Sequence, residues 1–393
     1  MLPLNPLARD VRRHHGIPVV PGAFPGVGHL PAIASDHLGL LRYGERTLGN
    51  TFYLNSGFGM FTINCVHPDV FSILKNKVTT STYLQSSLPD LFGVSVIAQD
   101  GPVHRHMRGA MDAPFLPRGL TATEVGPLLA EIIEGRVQRW REKREVQILH
   151  ETRELVLAIM FRLLGVDEAN LSDWRSRYED LMLFAVNIPL DLPGFPKRRA
   201  KKAKAWLDEH VLAFIREVRA RPHDKGLLPA IVAGRDEGGA GLSDVELVDN
   251  VRLLVLAGHE TSAATMAWMV IKMAERPEIW DRVCAEATAS AGVPLSPKEV
   301  RTFEYTEAVF RETLRLHPPV FTDARKALVD FELAGHTVPA GEMVNIPIMH
   351  LSRNPELYER ADEFMPERWM GRGGEGISPI ENVQFGGGPH FCL

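Results

Sequence analysis

The 393-residue sequence has few cysteines, no long apolar run and no strong excess of charge of either sign. Its cysteines, Cys65, Cys284 and Cys392, are odd in number and include no CxxC pair, which disfavours a disulfide framework, a zinc ribbon and a thioredoxin-type site. No stretch is long and apolar enough for a transmembrane anchor, and the first residues lack a signal-peptide core. These absences predict a soluble protein of the reducing cytoplasm.

The composition is that of an ordinary globular protein. With 45% hydrophobic and 24% charged residues, the chain is long enough to bury a sizeable core. A formal net charge of -5 gives no reason to expect a nucleic acid partner. Because no domain-length linker, repeat or low-complexity tract interrupts it, residues 1–393 are expected to form a single domain.

One long helix is the clearest secondary-structure prediction. Ser243 and Glu246 form a capping box, Pro277 follows the last turn, and the segment Asp244–Glu275 between them contains no proline. Its middle, residues 253–257, is apolar on all sides, which predicts a helix that crosses the core.

Shorter elements are expected towards both ends of the chain. The proline- and glycine-rich segment 18–28 predicts an irregular lead-in, and residues 51–65 a hairpin. Helix signals begin at Ser296, break near Phe303 and resume in a second helix that ends at Leu316. Strands are expected near 325–327, 331–333 and 343–348. Helices fill most of the chain, so the fold class is mainly helical, α+β.

The sharpest chemical signal is the C-terminal FGGGPHFCL, residues 385–393. A lone thiolate that ligates iron needs a tight backbone loop, and glycines permit the dihedral angles that such a loop requires. Phe385 and the three glycines that follow it supply this loop directly before Cys392. The alternative is a glycine-rich turn with an inert, buried cysteine, since free cysteine often behaves as a small hydrophobe.

This spacing, Phe-x-x-Gly-x-x-x-Cys, resembles the heme-binding signature of the cytochromes P450. The resemblance spans nearly the whole chain and implies the fold of a soluble bacterial-type member. It also implies that Cys392 ligates the iron of heme b (iron protoporphyrin IX), with Phe385 in the cofactor-binding loop. Family members continue beyond the cysteine with a helix, so a chain that stops at Leu393 is expected to be truncated at its C-terminus.

Four residues of the long helix, Ala257, Gly258, Glu260 and Thr261, look like the oxygen-binding motif of the same family. The resemblance implies an open helix at Ala257 and Gly258, Thr261 as the hydrogen-bond partner of dioxygen, and Glu260 as a proton relay. Taken alone, Thr261 reads as a hydroxyl bonded back to its own helix, and Glu260 as a solvated or paired carboxylate. A glycine costs roughly 1 kcal/mol at a helix centre, which indicates a local need.

Two further sets of residues match family positions. Glu312, Arg315 and Arg368 resemble the family's structural cluster beneath the cysteine loop, and a Glu and an Arg at i,i+3 share a helix face. The positions that contact the heme propionates in the family are occupied by His104, Arg108, Arg325 and His390. A family tryptophan is replaced by His104 or Met107. For each cation taken singly, the alternative is a solvated surface side chain.

The activity that the resemblance implies is a monooxygenase that hydroxylates or epoxidises an apolar small molecule with O2. Segments 81–98 and 181–192, including Ile188, are expected to line the substrate pocket, which suits a terpenoid, sterol-like, fatty-acid-like or polyketide substrate. The basic run 197–204 is predicted to be a solvated helix face, and the minor alternative is contact with anionic lipid or with an acidic group of the substrate.

Electrons are expected from NAD(P)H through a separate ferredoxin and ferredoxin reductase or a similar donor, docking near Arg105 and Arg108, with the enzyme acting as a monomer. The rival hypotheses are a heme-thiolate isomerase or peroxide-using enzyme, a non-catalytic heme or lipid binder, and a globular protein without heme. The Glu260–Thr261 pair argues against the first of these.

Overall fold

Helices account for most of the regular structure in the computed structural model, which describes residues 2–75, 77–165, 171–186, 191–221, 225–290, 295–372 and 377–393. Numbered in chain order, they are α1 Leu30–Leu48, α2 Tyr83–Ser87, α3 Pro89–Phe92, α4 Gly101–Met111, α5 Pro117–Ala122, α6 Val125–Arg141, α7 Ile148–Leu163, α8 Leu171–Met182, α9 Pro196–Ala220, α10 Leu227–Ala233, α11 Asp244–Glu275, α12 Pro277–Ala289, α13 Pro297–Val300, α14 Glu304–Leu316 and α15 Ile348–Leu351. The predicted mainly helical class is confirmed.

Nine short strands complete the secondary structure of the described residues. They are β1 Arg13–His14, β2 Ile17–Pro18, β3 Thr51–Asn55, β4 Phe61–Cys65, β5 Thr79–Thr80, β6 Asp323–Ala327, β7 Phe331–Leu333, β8 His336–Val338 and β9 Met343–Ile346. The chain divides into two compact units, of which the first contains Met1–Ser81 and Arg311–Cys392 and the second contains Thr82–Phe310 with Leu393.

The first unit is built on a five-stranded sheet of order β3-β4-β9-β6-β5. The β3–β4 hairpin predicted for residues 51–65 is present, and β4 pairs in parallel with β9, with Ile63 opposite Val344. Strand β6 pairs antiparallel with β9, which places Arg325 opposite Val344. The sheet therefore joins strands from the two ends of the sequence, which is why strand signals cluster at both ends of a mainly helical chain.

The expectation of an irregular lead-in is wrong at its start. Strands β1 and β2 form a small hairpin, with His14 opposite Ile17, and the chain continues onto β3 through a bridge from Val19 to Tyr53. Pro18 is compatible with this pairing because it lies at the end of a two-residue strand. Helix α1, which the sequence reasoning did not anticipate, follows with Pro31 in its first turn.

The second unit is helical and is organised around α11. The helix has the predicted bounds, and the capping box is complete: the Ser243 hydroxyl accepts from the Glu246 N–H while the Glu246 carboxylate accepts from the Ser243 N–H at 2.8 Å. Helix α11 packs against α7 and α9. Buried apolar residues such as Leu247, Val251 and Val255 place it in the core of this unit, as the apolar sequence predicted.

Charged groups inside the second unit tie the loop after α3 to α11. The Asp249 carboxylate accepts from the Val94 N–H at 2.9 Å and from the buried Arg252 guanidinium at 2.6 Å. The neighbouring Asn250 accepts from the Val96 N–H at 2.8 Å. Because Arg252 also pairs with Asp208 of α9, this buried cluster joins three segments of the unit. Within the described part of the chain, no helix is long and apolar enough to cross a membrane.

Candidate active site

The cysteine loop in the first unit is held in shape by its glycines. A 3-10 helix, Pro379–Phe385, ends at Gly386, where φ is +73°, and Gly388 has φ of +60°. A Cβ atom on Gly388 would lie 2.0 Å from the carbonyl oxygen of Leu74, so only glycine fits there. The Cys392 N–H donates to the carbonyl oxygen of Phe385 at 2.9 Å, which closes the loop.

Cys392 itself is exposed, unlike Cys65, whose burial raises the pKa of its thiol. The alternative of a buried cysteine does not match this exposure. An exposed thiol at the end of a rigid turn is available as a metal ligand, and its placement agrees with the signature that predicted it. None of the three cysteines forms a disulfide.

Two of the predicted propionate-binding cations belong to the first unit. Arg325 is buried on β6, and its Nη1 donates to both carboxylate oxygens of Asp323, at 2.7 and 2.8 Å, and to the Ala324 carbonyl oxygen at 2.8 Å. Among the described residues, its Nε and Nη2 have no hydrogen-bond partner, so they remain for another acceptor. His390, two residues before Cys392, has its Nε2 3.2 Å from the Ser81 hydroxyl oxygen.

The other two predicted cations lie on α4 of the second unit. His104 is buried, with 3% of its surface exposed, and Arg108 is half-buried. The Arg108 Nε lies 2.5 Å from the Asp112 carboxylate one turn later. The sequence reasoning did not identify Asp112, whose i,i+4 spacing to Arg108 was the available signal.

The predicted oxygen-binding motif lies on an uninterrupted stretch of α11. The expected opening at Ala257 and Gly258 is absent, because the helix is continuous from Asp244 to Glu275. Gly258 faces α7, and a Cβ atom there would lie 3.2 Å from Met160 Cε, the flexible end of that side chain. The Thr261 hydroxyl donates to the Ala257 carbonyl oxygen at 2.6 Å, as its alternative interpretation predicted.

Glu260 is half-buried and paired with Arg153 of α7. Both Arg153 Nε, at 3.1 Å, and Nη2, at 2.9 Å, donate to the same oxygen, Oε2. The adjacent His259 is buried, its Nε2–H donates to the Arg153 carbonyl oxygen at 3.1 Å, and burial lowers the pKa of its imidazole. Nothing in the sequence marked Arg153, because it lies 107 residues from Glu260.

The structure brings Glu312, Arg315 and Arg368 together, as the resemblance implied. Glu312 and Arg315 are fully buried, and Arg315 donates to the two Glu312 carboxylate oxygens from Nε and Nη2, each at 2.8 Å. Arg368 Nε adds a third bond at 3.0 Å. Two donors that the sequence reasoning missed, the Met365 N–H at 2.7 Å and the Trp369 indole N–H at 2.9 Å, also reach Glu312.

The remaining donors of Arg315 all find backbone carbonyls. Its Nη1 donates to Ser352 O at 2.8 Å and to Ala361 O at 2.6 Å, and its Nη2 donates to Glu363 O at 2.9 Å. The Ser352 hydroxyl in turn accepts from the Gln384 amide at 3.0 Å. Because Gln384 lies in the turn that leads into the cysteine loop, the buried pair is linked to that loop by hydrogen bonds.

The predicted substrate-lining segments are described in part. In segment 81–98, Leu91 and Val96 are buried, and in segment 181–192, Leu181 and Phe184 are buried. The side chains of residues 185–190, among them Ile188, lie outside the described residues.

The basic run 197–204 agrees with a solvated helix face. Several of its cations pair with nearby carboxylates: Lys201 and Arg198 with Asp191, at 2.6 and 3.8 Å, and Arg199 with Asp180 at 2.5 Å.

Comparison with known proteins decides the family. The model of the family "Cytochrome P450" matches residues 18–393. This chain belongs to the cytochrome P450 family. It is accordingly a heme-dependent monooxygenase, an oxidoreductase, as the cysteine signature predicted.

Two bacterial relatives are 43% identical over 390 residues, covering 99% of this chain and 87% of each relative: "Cytochrome P450 BJ-4" of Bradyrhizobium diazoefficiens and its homolog in Sinorhizobium fredii. The "Cyclooctat-9-en-7-ol 5-monooxygenase" of Streptomyces melanosporofaciens is 29% identical over 95% of this chain and 84% of its own length. Among solved structures, "Retinoic acid bound cyanobacterial CYP120A1" superposes with a TM-score of 0.82 at 25% identity, covering 94% of this chain and 86% of that chain.

The residues of this P450 fit the heme that its family carries. The loop presents an exposed thiol, which is the iron ligand expected of a heme-thiolate protein. The buried Arg325 keeps two donor nitrogens for an anionic partner such as a propionate, and His390 adds a polar group close to Cys392 in sequence.

Removal of the Glu312 carboxylate is expected to unfold the first unit at lower denaturant. Glu312→Ala leaves the buried Arg315 guanidinium without its counter-charge, which costs about 3–5 kcal/mol. Glu307→Ala, at an exposed position on the same helix, is the control and is expected to cost under about 1 kcal/mol. Urea unfolding followed by circular dichroism measures both, and equal costs would contradict the account.

A methyl group on Gly388 is expected to disrupt the cysteine loop. In Gly388→Ala the new carbon and Leu74 O cannot both keep their positions, so we expect heme incorporation to fall more than 10-fold. Gly335→Ala is the matched control. Gly335 also has a positive φ, of +78°, but nothing lies within 4 Å of the added carbon. Heme content per polypeptide after identical expression measures the effect. Full heme content in Gly388→Ala would show that the close approach is not required.

Proposed function

We propose that this cytochrome P450 hydroxylates or epoxidises an apolar terpenoid with O2, using Cys392 as the thiolate ligand of heme b. The observation that carries the proposal is the exposed Cys392 thiol at the end of the glycine-constrained loop. When bound, the heme supplies the chemistry of dioxygen reduction and oxygen transfer. Three thiols that form no disulfide suit a reducing compartment, so we place the enzyme in the cytoplasm.

Cationic and imidazole side chains would hold the heme propionates. Arg325 is suited to this role because its guanidinium is buried and has donors left after its contacts with Asp323. His390 is close to the ligand in sequence and shares its loop. We assign His104 and Arg108 the same role from α4, where Arg108 would divide its donors between Asp112 and a propionate.

Thr261 and Glu260 would manage the protons that dioxygen reduction consumes. The Thr261 hydroxyl proton is directed to Ala257 O, so its oxygen is left to accept a hydrogen bond from a water in the site. Arg153 donates only to Oε2 of Glu260, and Oε1, 3.7 Å from His259 Nδ1, would take up and release a proton. In this arrangement Arg153 orients the carboxylate while Oε1 carries the proton.

The relatives and the apolar segments together support a terpenoid substrate. The Streptomyces relative is named for a cyclooctat-9-en-7-ol, the structural neighbour holds retinoic acid, and a "Taxoid 2-alpha-hydroxylase" of Taxus canadensis is 30% identical over 76% of this chain and 62% of its own length. The buried Leu91, Val96, Leu181 and Phe184 give the two candidate lining segments an apolar character.

Electrons would reach the enzyme from NAD(P)H through a separate ferredoxin and ferredoxin reductase or a similar donor. The cations Arg105 and Arg108 on α4 would attract an acidic partner of this kind. Its docking would be weakened by salt, because exposed charges are screened.

Turnover with two terpenoid probes tests this function. Purified holoenzyme with a surrogate ferredoxin, ferredoxin reductase and NADPH is given cyclooctat-9-en-7-ol or retinoic acid, and oxygenated product is measured by mass spectrometry. We expect product from at least one probe, reduced by about 100-fold in Glu260→Gln because a proton donor is lost. Thr261→Ala should divert oxygen uptake to hydrogen peroxide.

Thr261→Ser is the control, because it keeps the hydroxyl and is expected to keep coupled turnover. Oxygen uptake without an oxygenated product from either probe would contradict the terpenoid assignment. Unchanged coupling in Thr261→Ala would contradict the role of the hydroxyl.

A further inference from the structure

A cluster of metal-ligating side chains in the first unit takes no part in the proposed oxygenation. His14, His15 and Glu342 each offer one ligand atom, and these atoms all lie within 4.8 Å of one another. Among the described residues, no other three His, Cys, Asp or Glu side chains meet this condition. Two imidazoles and one carboxylate are the donors of many zinc sites.

The His14 ring is fixed by its aromatic neighbours. It stacks on Phe61, with ring centroids 5.2 Å apart and planes 23° apart, and meets the edge of Tyr53 at 4.9 Å. Backbone pairing holds the hairpin against β3, since the Val20 N–H donates to Tyr53 O at 3.0 Å. A ligand held in this way loses little freedom when it binds a metal.

A hydrogen bond from Tyr53 fixes the orientation of the Glu342 carboxylate. The Tyr53 hydroxyl donates to Oε2 at 2.9 Å, while Oε1 lies 3.7 Å from His15 Nε2. Two ligand atoms of one tetrahedral zinc ion are about 3.4 Å apart. A small side-chain rotation would therefore bring His15 Nε2 and Glu342 Oε1 to this separation. Tyr53 thus acts on the carboxylate as a supporting residue does at a metal centre.

His15 has a left-handed backbone conformation in the turn between β1 and β2. It has φ of +47° and Gly16 has φ of +78°, the pattern of a two-residue hairpin turn that favours Asn or Gly at its first position. The left-handed conformation projects His15 from the turn, where its side chain is 49% exposed and 3.7 Å from Glu342. The exposed histidine beside a carboxylate is thus open to a ligand from solvent.

We propose that His14, His15 and Glu342 bind one divalent ion of the Zn²⁺ type, with water completing the coordination. The ion would join the β1–β2 hairpin to the turn before β9, two segments more than 300 residues apart in sequence. Its charge would be balanced in part by Glu342 and opposed by Arg13, whose Nη1 donates to Gly16 O at 2.6 Å. The site is independent of the oxygenation function proposed above.

Zinc titration of the heme-loaded protein tests this site. A Cys284→Ser background removes the exposed thiol of α12, and EDTA treatment followed by dialysis removes adventitious ions. Isothermal titration with ZnCl₂ should then give one binding event per chain. Tyr53→Phe is expected to weaken it by about 10–100-fold, and His15→Gln and Glu342→Gln by at least that factor.

His336→Gln, a histidine on β8 of the same unit, is the matched control and should leave the affinity unchanged. With Cu²⁺ as a second probe, electron paramagnetic resonance should show nitrogen coupling that is reduced in His15→Gln. His15 is exposed, so its replacement should leave circular dichroism and heme content unchanged. Absence of stoichiometric zinc binding, or binding that survives both His15→Gln and Glu342→Gln, would overturn the proposal.

Discussion

The first unit depends on the buried ion pair between Glu312 and Arg315, every polar hydrogen of which is satisfied. A charge pair without solvent is tolerated only when its geometry and remaining hydrogen bonds are complete, and here the Arg315 donors reach Glu312 and three backbone carbonyls. Through Ser352 and Gln384, the same network reaches the turn that leads into the cysteine loop. The position of Cys392 thus depends on charges placed far from it in sequence.

The sequence predicted the structural features that are determined by residues close together in the chain. The Ser243 capping box and an uninterrupted apolar segment were enough to predict α11, and glycine spacing was enough to single out Cys392. Helix α1 and the β1–β2 hairpin were missed because proline-rich sequence around them has weak periodicity. The partners of site residues, such as Arg153 for Glu260, arise from tertiary packing and carry no signal at their own positions.

The motif on α11 shows how packing and chemistry share residues. Gly258 permits the approach of Met160, and the same turn carries Thr261 and Glu260. Both side chains already form hydrogen bonds within the second unit, Thr261 to Ala257 O and Glu260 Oε2 to Arg153. Their proposed proton chemistry therefore uses the Thr261 hydroxyl oxygen as an acceptor and Oε1 of Glu260. A tight contact with the flexible end of Met160 accounts for only part of the cost of the helical glycine, so Thr261 and Glu260 are the sharper test of catalysis.

The central claim is that the Cys392 thiolate binds the heme iron. The reduced carbon-monoxide difference spectrum of the purified protein tests it most directly, with Cys392→Ser compared against Cys65→Ser and Cys284→Ser. The account predicts a thiolate-type Soret shift in the parent protein and in both control variants, and its loss in Cys392→Ser. A spectrum unchanged in Cys392→Ser, or a parent protein that stays colourless after heme supplementation, would contradict it.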